Sequence, residues 1–327
     1  MVLASAGSGT STSGQHGVSM ESASPEASKE GHLEAFGRRG VLSGMLAFAC
    51  AQALPAKAVG VYGLEDAAFE AYANRDFKTA VGLLTDIMDE QPDVPKWLEM
   101  RAAVLVDGKN FSAAIADYDK ALQMVPDKEP IVRARLLAGR ALALEGVSDW
   151  EGALADYEKA VVLADAAGES PDPYVTNAIG NCHNSLGQWA QAREAYLVSS
   201  QLFQQARGMK GRNGGSTDRL DGAIFSASNA ALMLAQMGNL GGAIKEMERI
   251  ARRAPGSADM RAALAALYYD AGDRARAEDV WEFACTQISV GCSKYKDADW
   301  LARIRRWPPV MCQKMASFVL LEPAPAA

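Results

Sequence analysis

Histidine is scarce in this sequence, and the scarcity limits the chemistry that the chain can perform. Only three of the 327 residues are histidine, and two of them, His16 and His32, lie close to the start. His183 is the only histidine in the remainder. Because histidine is the usual general base near neutral pH and a frequent metal ligand, we expect neither histidine-based catalysis nor a histidine metal site. No CxxC pair occurs among the cysteines, and the sequence predicts no metal and no cofactor.

Long apolar runs and an excess of basic residues are also missing. The uncharged apolar run from Val41 to Leu54 is shorter than the ~20 residues that span a bilayer, so we predict no transmembrane segment in the mature chain. The net charge of −7 argues against binding to nucleic-acid phosphates. With 49% hydrophobic and 22% charged residues, the chain has the composition of a globular protein with a large core.

The stretch from Lys96 to Pro126 reads as two short amphipathic helices joined by a tight turn. Apolar residues recur at helical spacing on both sides of Gly108, where the first helix is expected to end. Pro126 marks the end of the second helix, because proline lacks the donor that the next turn needs. A single helical hairpin cannot bury both of its faces, so we expect neighbours of the same kind.

A small alanine recurs early in the second helix, where the first helix would cross too closely for a larger side chain. These alanines are Ala80, Ala114, Ala153, Ala192, Ala243 and Ala277. A large apolar or aromatic residue stands three residues before five of them, and another stands four residues after each. This pattern resembles the tetratricopeptide repeat (TPR) family, whose unit has 34 residues. The first and last spacings equal 34 residues, and the others are longer.

The resemblance implies an all-α fold, an α-solenoid of about six helix-turn-helix units over residues 59–285, with a C-terminal capping helix and tail in residues 286–327. Composition predicts a flexible loop at 207–219. We expect unit three to have a turn two residues longer than usual, around residues 145–148. The resemblance also implies a non-enzymatic scaffold that binds a protein or peptide, since such arrays present a surface and perform no chemistry.

The start of the chain resembles an export address in two parts. Residues 1–36 are rich in Ser, Gly, Ala and Thr and should be disordered, like a chloroplast transit region. Residues 37–58 resemble a twin-arginine signal that ends at an Ala-Lys-Ala cleavage site. The residues assigned to this signal are Arg38, Arg39, Ala56 and Ala58. The pair of segments predicts the thylakoid lumen. Four acidic residues before the arginines keep a bacterial periplasmic signal open, and residues 41–54 could instead form a buried helix.

In the TPR family the first helix of every unit lines a concave groove, so polar residues on that face are candidate partner contacts. The candidate groove residues, registered on the alanine of each unit, are Arg133, Arg140, Tyr174, Asn177, Asn181, Phe225, Ser228 and Asn229. Amides, guanidinium groups and aromatic rings suit a peptide ligand. The alternative is that these side chains face solvent or only satisfy neighbouring helices. Arg101 occupies a position that is usually apolar in the family and therefore needs a carboxylate partner.

Three cysteines lie near the C-terminus and predict a disulfide in an oxidising compartment. The candidates are Cys285, Cys292 and Cys312, and at least one bridge should join two of them. The sequence favours no single pair, although a turn at Gly291 makes Cys285 with Cys292 plausible. Cys182 is expected to pack as a small apolar group.

The block from Trp281 to Pro309 resembles the C-terminal segment of lumenal TPR proteins of plants and algae. Arg303, Arg305 and Arg306 within it should form a solvated basic face, and peripheral contact with anionic lipid or with an acidic partner is the alternative. With the leader, this resemblance implies the thylakoid lumen, and the compartment together with the fold favours an assembly or maintenance factor for thylakoid protein complexes. The alternatives are a periplasmic TPR adaptor, a self-associating structural protein, and an enzyme with a site between repeats.

Overall fold

The computed structural model describes residues 59–205, 217–288 and 292–320, which form helices joined by turns and short connections. The predicted leader and its signal residues lie outside the described residues. The helices are α1 (Val59–Ala73), α2 (Phe77–Glu90), α3 (Pro95–Asp107), α4 (Phe111–Met124), α5 (Pro130–Gly146), α6 (Trp150–Ala166), α7 (Pro173–Ser185), α8 (Trp189–Gln205), α9 (Thr217–Gln236), α10 (Leu240–Arg253), α11 (Ala258–Asp270), α12 (Arg274–Thr286) and α13 (Pro309–Leu320). The described part contains no β-strand. The first twelve helices form six successive pairs, units one to six, which confirms the predicted all-α solenoid.

The same three-residue turn joins the two helices of every unit. Its middle residue has positive φ in each case, at Arg75, Lys109, Ser148, Gly187, Gly238 and Gly272. In unit three the amide of Asp149 then donates to the carbonyl of Leu144 at 3.0 Å, which closes the end of the first helix. The Asp149 side chain accepts from the amide of Gly152 at 3.0 Å and caps the second helix. The turn of unit three therefore satisfies two helix ends at once, and side-chain caps at Asp76, Asn239 and Asp273 repeat this in units one, five and six.

The recurring alanines lie at the contact between the helices of each unit, and all six are fully buried. Neighbouring units pack equally closely. A Cβ on Gly139 of α5 would lie 2.5 Å from the Tyr118 ring of α4, and one on Gly222 of α9 would lie 2.6 Å from the Phe203 ring of α8. Glycine at these two points lets an aromatic side chain of the second helix reach the backbone of a first helix.

The first helices of the units, α1, α3, α5, α7, α9 and α11, form the inner layer, and the second helices form the outer layer. Inner helices of neighbouring units contact each other, as α3 with α5 and α9 with α11. The predicted longer turn in unit three is wrong, because residues 147–149 form the same turn as elsewhere. The extra residues extend α5 and α6, which have 17 residues each, whereas α3 and α4 have 13 and 14.

Residues 292–320, here called the C-terminal segment, do not simply cap the last unit as predicted. After α12 the chain forms a short 3-10 turn at Ser293–Lys296 and a single wide turn at Trp300–Ile304 before α13. Helix α13 packs against the inner helices α11 and α9. Its Phe318 ring packs against the ring of Tyr269 on α11, with 5.6 Å between the centroids. The segment therefore runs back along the inner layer, because its apolar side chains find buried partners there.

Candidate functional site

The inner face is the candidate site, and the C-terminal segment crosses it. Arg306 reaches the end of α5, where its Nη1 donates to Oε2 of Glu145 at 2.6 Å. The other carboxylate oxygen of Glu145 accepts from the Tyr157 hydroxyl at 2.8 Å. On the opposite side, Nδ2 of Asn184 donates to the Arg306 carbonyl at 2.8 Å. Units three and four thus hold both the side chain and the backbone of one residue of the segment.

Arg305 turns towards units five and six. Its Nε donates to Oδ1 of Asp259 at 2.9 Å, and Nη2 donates to the second oxygen of the same carboxylate. Nη1 donates to Oδ1 of Asn229 at 2.8 Å, and the guanidinium lies 4.8 Å from the centroid of the Phe225 ring. Asp259 also accepts from the indole Nε1 of Trp307 at 3.1 Å. Four inner helices therefore contribute polar groups to two neighbouring arginines.

Burial makes these contacts electrostatically strong. The side chains of Arg305 and Asp259 are only 5% and 11% exposed. Burial by itself lowers the pKa of Arg305, but the charge and hydrogen bonds of Asp259 more than offset this, so the pKa is raised. The same balance, with Glu145 as the partner, raises the pKa of Arg306. Both arginines therefore stay charged, and the predicted solvated basic face is wrong for them. Arg303 is exposed and pairs with Asp299.

Arg133 and Arg140 do not line the inner face, and their predicted placement there is wrong. Nη1 of Arg133 donates to the carbonyls of Leu122 and Val125 at 3.1 and 2.7 Å, at the end of the outer helix α4. Arg140 holds both oxygens of Asp156 on the outer helix α6, at 2.7 and 2.8 Å. The two arginines line a shallow cavity of about 300 Å³ between α4, α5 and α6. Because the turn of unit three has the usual length, Arg140 lies 13 residues before Ala153, just as Arg101 lies 13 residues before Ala114. This position faces the outer helix in both units.

Arg135 is the residue of α5 that lines the inner face, and it was not among the predicted groove residues. It lies 18 residues before Ala153, as Lys96 lies 18 residues before Ala114, so an unchanged turn length would have identified it. Its Nη2 donates to Oε2 of Glu99 at 2.9 Å, and its Nε to the other carboxylate oxygen. One unit earlier, Lys96 donates to Glu65 at 2.8 Å. Ion pairs thus link the inner helices of units one to three.

The remaining candidate groove residues have partners within the chain. Asn177 accepts from the Ser226 hydroxyl at 3.0 Å, and Asn181 accepts from the Tyr196 hydroxyl at 2.9 Å. Ser228 donates to a carbonyl of its own helix, and the Tyr174 ring packs edge-on against Phe203. Phe225 and Asn229 contact Arg305, as described above. Of the predicted groove residues, Phe225 and Asn229 therefore contact the C-terminal segment, and the others contact helices of the repeats.

Arg101 has the carboxylate partner that the sequence analysis expected. Its Nε and Nη2 donate to the two oxygens of Asp117 at 2.8 and 2.7 Å, and Nη1 donates to Thr85 Oγ1 at 3.0 Å. Arg140 and Asp156 repeat this pair one unit later, at the same distances from their alanine. The repetition was visible in the sequence and indicates a structural role for Arg140 as well.

The four cysteines in the described part of the chain form one bridge. Cys285 and Cys292 form a disulfide with 4.7 Å between their Cα atoms, at the point where the chain leaves α12 for the inner face. Cys312 is a free thiol in α13, and burial raises its pKa to about 11. Cys182 is free and fully buried. Within the described ranges, no cluster of His, Cys, Asp or Glu side chains is arranged to hold a metal ion. None of the described helices is both long and apolar enough to cross a membrane.

Comparisons with known proteins agree with this architecture. Residues 66–129 match the model of the tetratricopeptide repeat family. The apo form of RapI is 11% identical, with 80% of this chain and 97% of that chain covered and a TM-score of 0.56. A tetratricopeptide repeat protein from Parabacteroides merdae is 15% identical, with 81% and 94% covered and a TM-score of 0.54. At these identities the likeness concerns the fold. No curated protein matches the chain.

Residues 66–129 therefore match tetratricopeptide repeats, and the described part of the chain has the fold of an α-solenoid of six such helical pairs. Proteins of this class present an extended surface to other proteins and are typically non-enzymatic interaction scaffolds.

Proposed function

We propose that the protein is a non-enzymatic scaffold that binds a partner protein in the thylakoid lumen, as an assembly or maintenance factor for thylakoid complexes. The twin-arginine resemblance of residues 37–58 and the lumenal resemblance of the C-terminal block support the compartment. A disulfide between Cys285 and Cys292 suits an oxidising compartment. The periplasmic alternative shares the same class of function and differs in the compartment to which the leader would direct the chain.

The observation that carries the scaffold function is the row of accessible side chains on the inner face of units one to three. Tyr62 is 45% exposed, and the side chains of Lys96 and Arg135 are 40% and 36% exposed. All three occupy the same position relative to the alanine of their unit. Glu65 and Glu99 lie beneath them and hold the two basic side chains in place. An aromatic ring followed by two oriented cations suits a partner with apolar and acidic side chains.

Localisation and partner capture test the proposal separately. Replacing Arg38 and Arg39 with lysine should block arrival of the protein in the lumen, measured by fractionation of intact chloroplasts. If the doubly substituted protein still arrives and is trimmed, the twin-arginine assignment is wrong. In affinity capture from intact lumen, the mature chain should retain a defined set of thylakoid proteins.

A matched pair of variants assigns the capture to the inner face. Tyr62→Ala combined with Lys96→Ala should reduce capture at least tenfold, because both side chains lie on the proposed contact surface. Lys159→Ala, which changes the outer cavity, should capture as the wild type does. Equal loss in both variants, or loss in the control alone, would contradict the proposed surface. The alternative of a self-associating structural protein predicts a stable oligomer, which a size measurement on the purified protein would detect.

A further inference from the structure

The C-terminal segment lies on the repeats as a bound peptide would. Side chains of units three to six contact Arg305 and Arg306, and side chains of units four and five also bind the backbone of the segment. Asn184 donates to the Arg306 carbonyl, and Oε1 of Gln236 accepts from the Val310 amide at 2.9 Å. Between these two contacts, Pro308 and Pro309 carry no N–H group that would need a partner.

We propose that the inner face of units three to six is a peptide-binding groove specific for two adjacent arginines followed by an aromatic residue. The C-terminal segment is its resident ligand, and a partner protein bearing such a segment displaces it. This inference rests on the proposed function, because it names the segment by which the partner is held.

The charges of the groove define the ligand. Glu145 and Asp259 are the acidic groups at its two ends, and their side chains are only 5% and 11% exposed. If the C-terminal segment left without replacement, two buried carboxylates would lose their cations, which is strongly unfavourable. A displacing ligand must therefore bring two positive charges. Asp259 is held through both of its oxygens, a geometry that guanidinium provides and an ammonium group does not.

The backbone of the segment explains why the arginines must be adjacent. Arg306 has a φ of 58°, in the left-handed region, and follows the wide turn at Trp300–Ile304. The amide of Trp307 donates to the Leu301 carbonyl at 2.9 Å and closes this turn. Because the chain reverses there, neighbouring side chains reach carboxylates on α5 and α11. The aromatic residue that follows places its indole N–H on Asp259.

The resident ligand is attached to the protein, so it competes at a high effective concentration. A free peptide should therefore bind poorly to the wild type and well when the resident arginines are removed. The probe is a fluorescein-labelled peptide with the sequence of residues 301–312, carrying Cys312→Ser. The test variant of the full mature chain carries Arg305→Met and Arg306→Met, and the matched control carries Arg303→Ala, an exposed arginine of the same segment.

Fluorescence anisotropy should show at least tenfold tighter peptide binding to the Arg305→Met, Arg306→Met variant than to the wild type or the Arg303→Ala control. Adding Glu145→Gln and Asp259→Asn should abolish this gain. A peptide with lysine in place of both arginines should bind at least tenfold more weakly. The proposal is overturned if the folded variant does not bind the peptide, or if binding survives neutralisation of the two carboxylates.

Hydrogen exchange of the wild-type protein keeps the proposal testable if the double variant does not fold. The amides of Arg305, Trp307 and Val310 should exchange at least tenfold faster than those of residues 262–266 in α11, because the segment opens without unfolding the solenoid. Equal exchange at both places would show a permanently fixed segment and would also overturn the proposal. All of these measurements use purified protein, so they are independent of whether the lumenal location and the capture experiments succeed.

Discussion

Units one and two and units five and six use the inner face of one solenoid in opposite ways. In the first pair of units, Lys96 and Glu65 form a partly exposed ion pair that leaves the surface open. In the last pair, Asp259 lies beneath the C-terminal segment and binds Arg305 out of reach of solvent. Polar residues on the inner face of a solenoid therefore do not by themselves mark a binding site, because they can serve helix packing, an internal ligand or an external partner.

The Arg305–Asp259 pair is buried and the Lys96–Glu65 pair is partly exposed, so we expect loss of the buried pair to lower the free energy of unfolding much more. Asp259→Ala leaves Arg305 buried without its carboxylate, which should cost about 3–5 kcal/mol of unfolding free energy. The measurement is equilibrium urea unfolding followed by circular dichroism. Asp299→Ala removes the exposed partner of Arg303 in the same segment and should leave the unfolding midpoint unchanged. If the two variants unfold at the same midpoint, the buried cluster does not stabilise the C-terminal units.

The disulfide should stabilise one half of the molecule more than the other. Cys285→Ser combined with Cys292→Ser removes a bridge between two residues that are seven positions apart in sequence. The chain-entropy estimate predicts a loss of about 2–3 kcal/mol in the free energy of unfolding. Hydrogen exchange should accelerate in α13 and remain unchanged in α1 and α2. Cys312→Ser, which removes a thiol outside the bridge, serves as the control. Equal acceleration along the whole chain would mean that the two halves unfold as one unit.

The smallest effect is expected at the open end. Lys96→Ala removes a partly exposed ion pair, and such pairs contribute about 1 kcal/mol or less. Thermal unfolding should therefore change little, whereas partner capture should fall. A destabilisation as large as that of Asp259→Ala would mean that the ion pair of units one and two stabilises the fold as strongly as the buried pair of the last unit.

The repeat could be located from the sequence because its signals are local. A buried alanine such as Ala114 and a three-residue turn lie within a few residues of each other and recur in every unit. The expectation that Arg101 needs a carboxylate was also correct, since a mostly buried guanidinium requires one wherever it lies. The error at Arg133 came from assigning the extra residues of unit three to its turn. A turn with a left-handed residue at Ser148 has a fixed length, so insertions lengthen the helices.

The sequence by itself determined the helical pairs, their number and, outside unit three, their register, because periodicity, small residues and turn chemistry act over short distances along the chain. Only the tertiary structure decided the course of the C-terminal segment. Arg306 and Glu145 are 161 residues apart in sequence, and no local pattern in either region indicates the other. Their contact arises because stacking of the units creates a buried acidic groove, and a charge buried there requires an opposite charge from elsewhere in the chain.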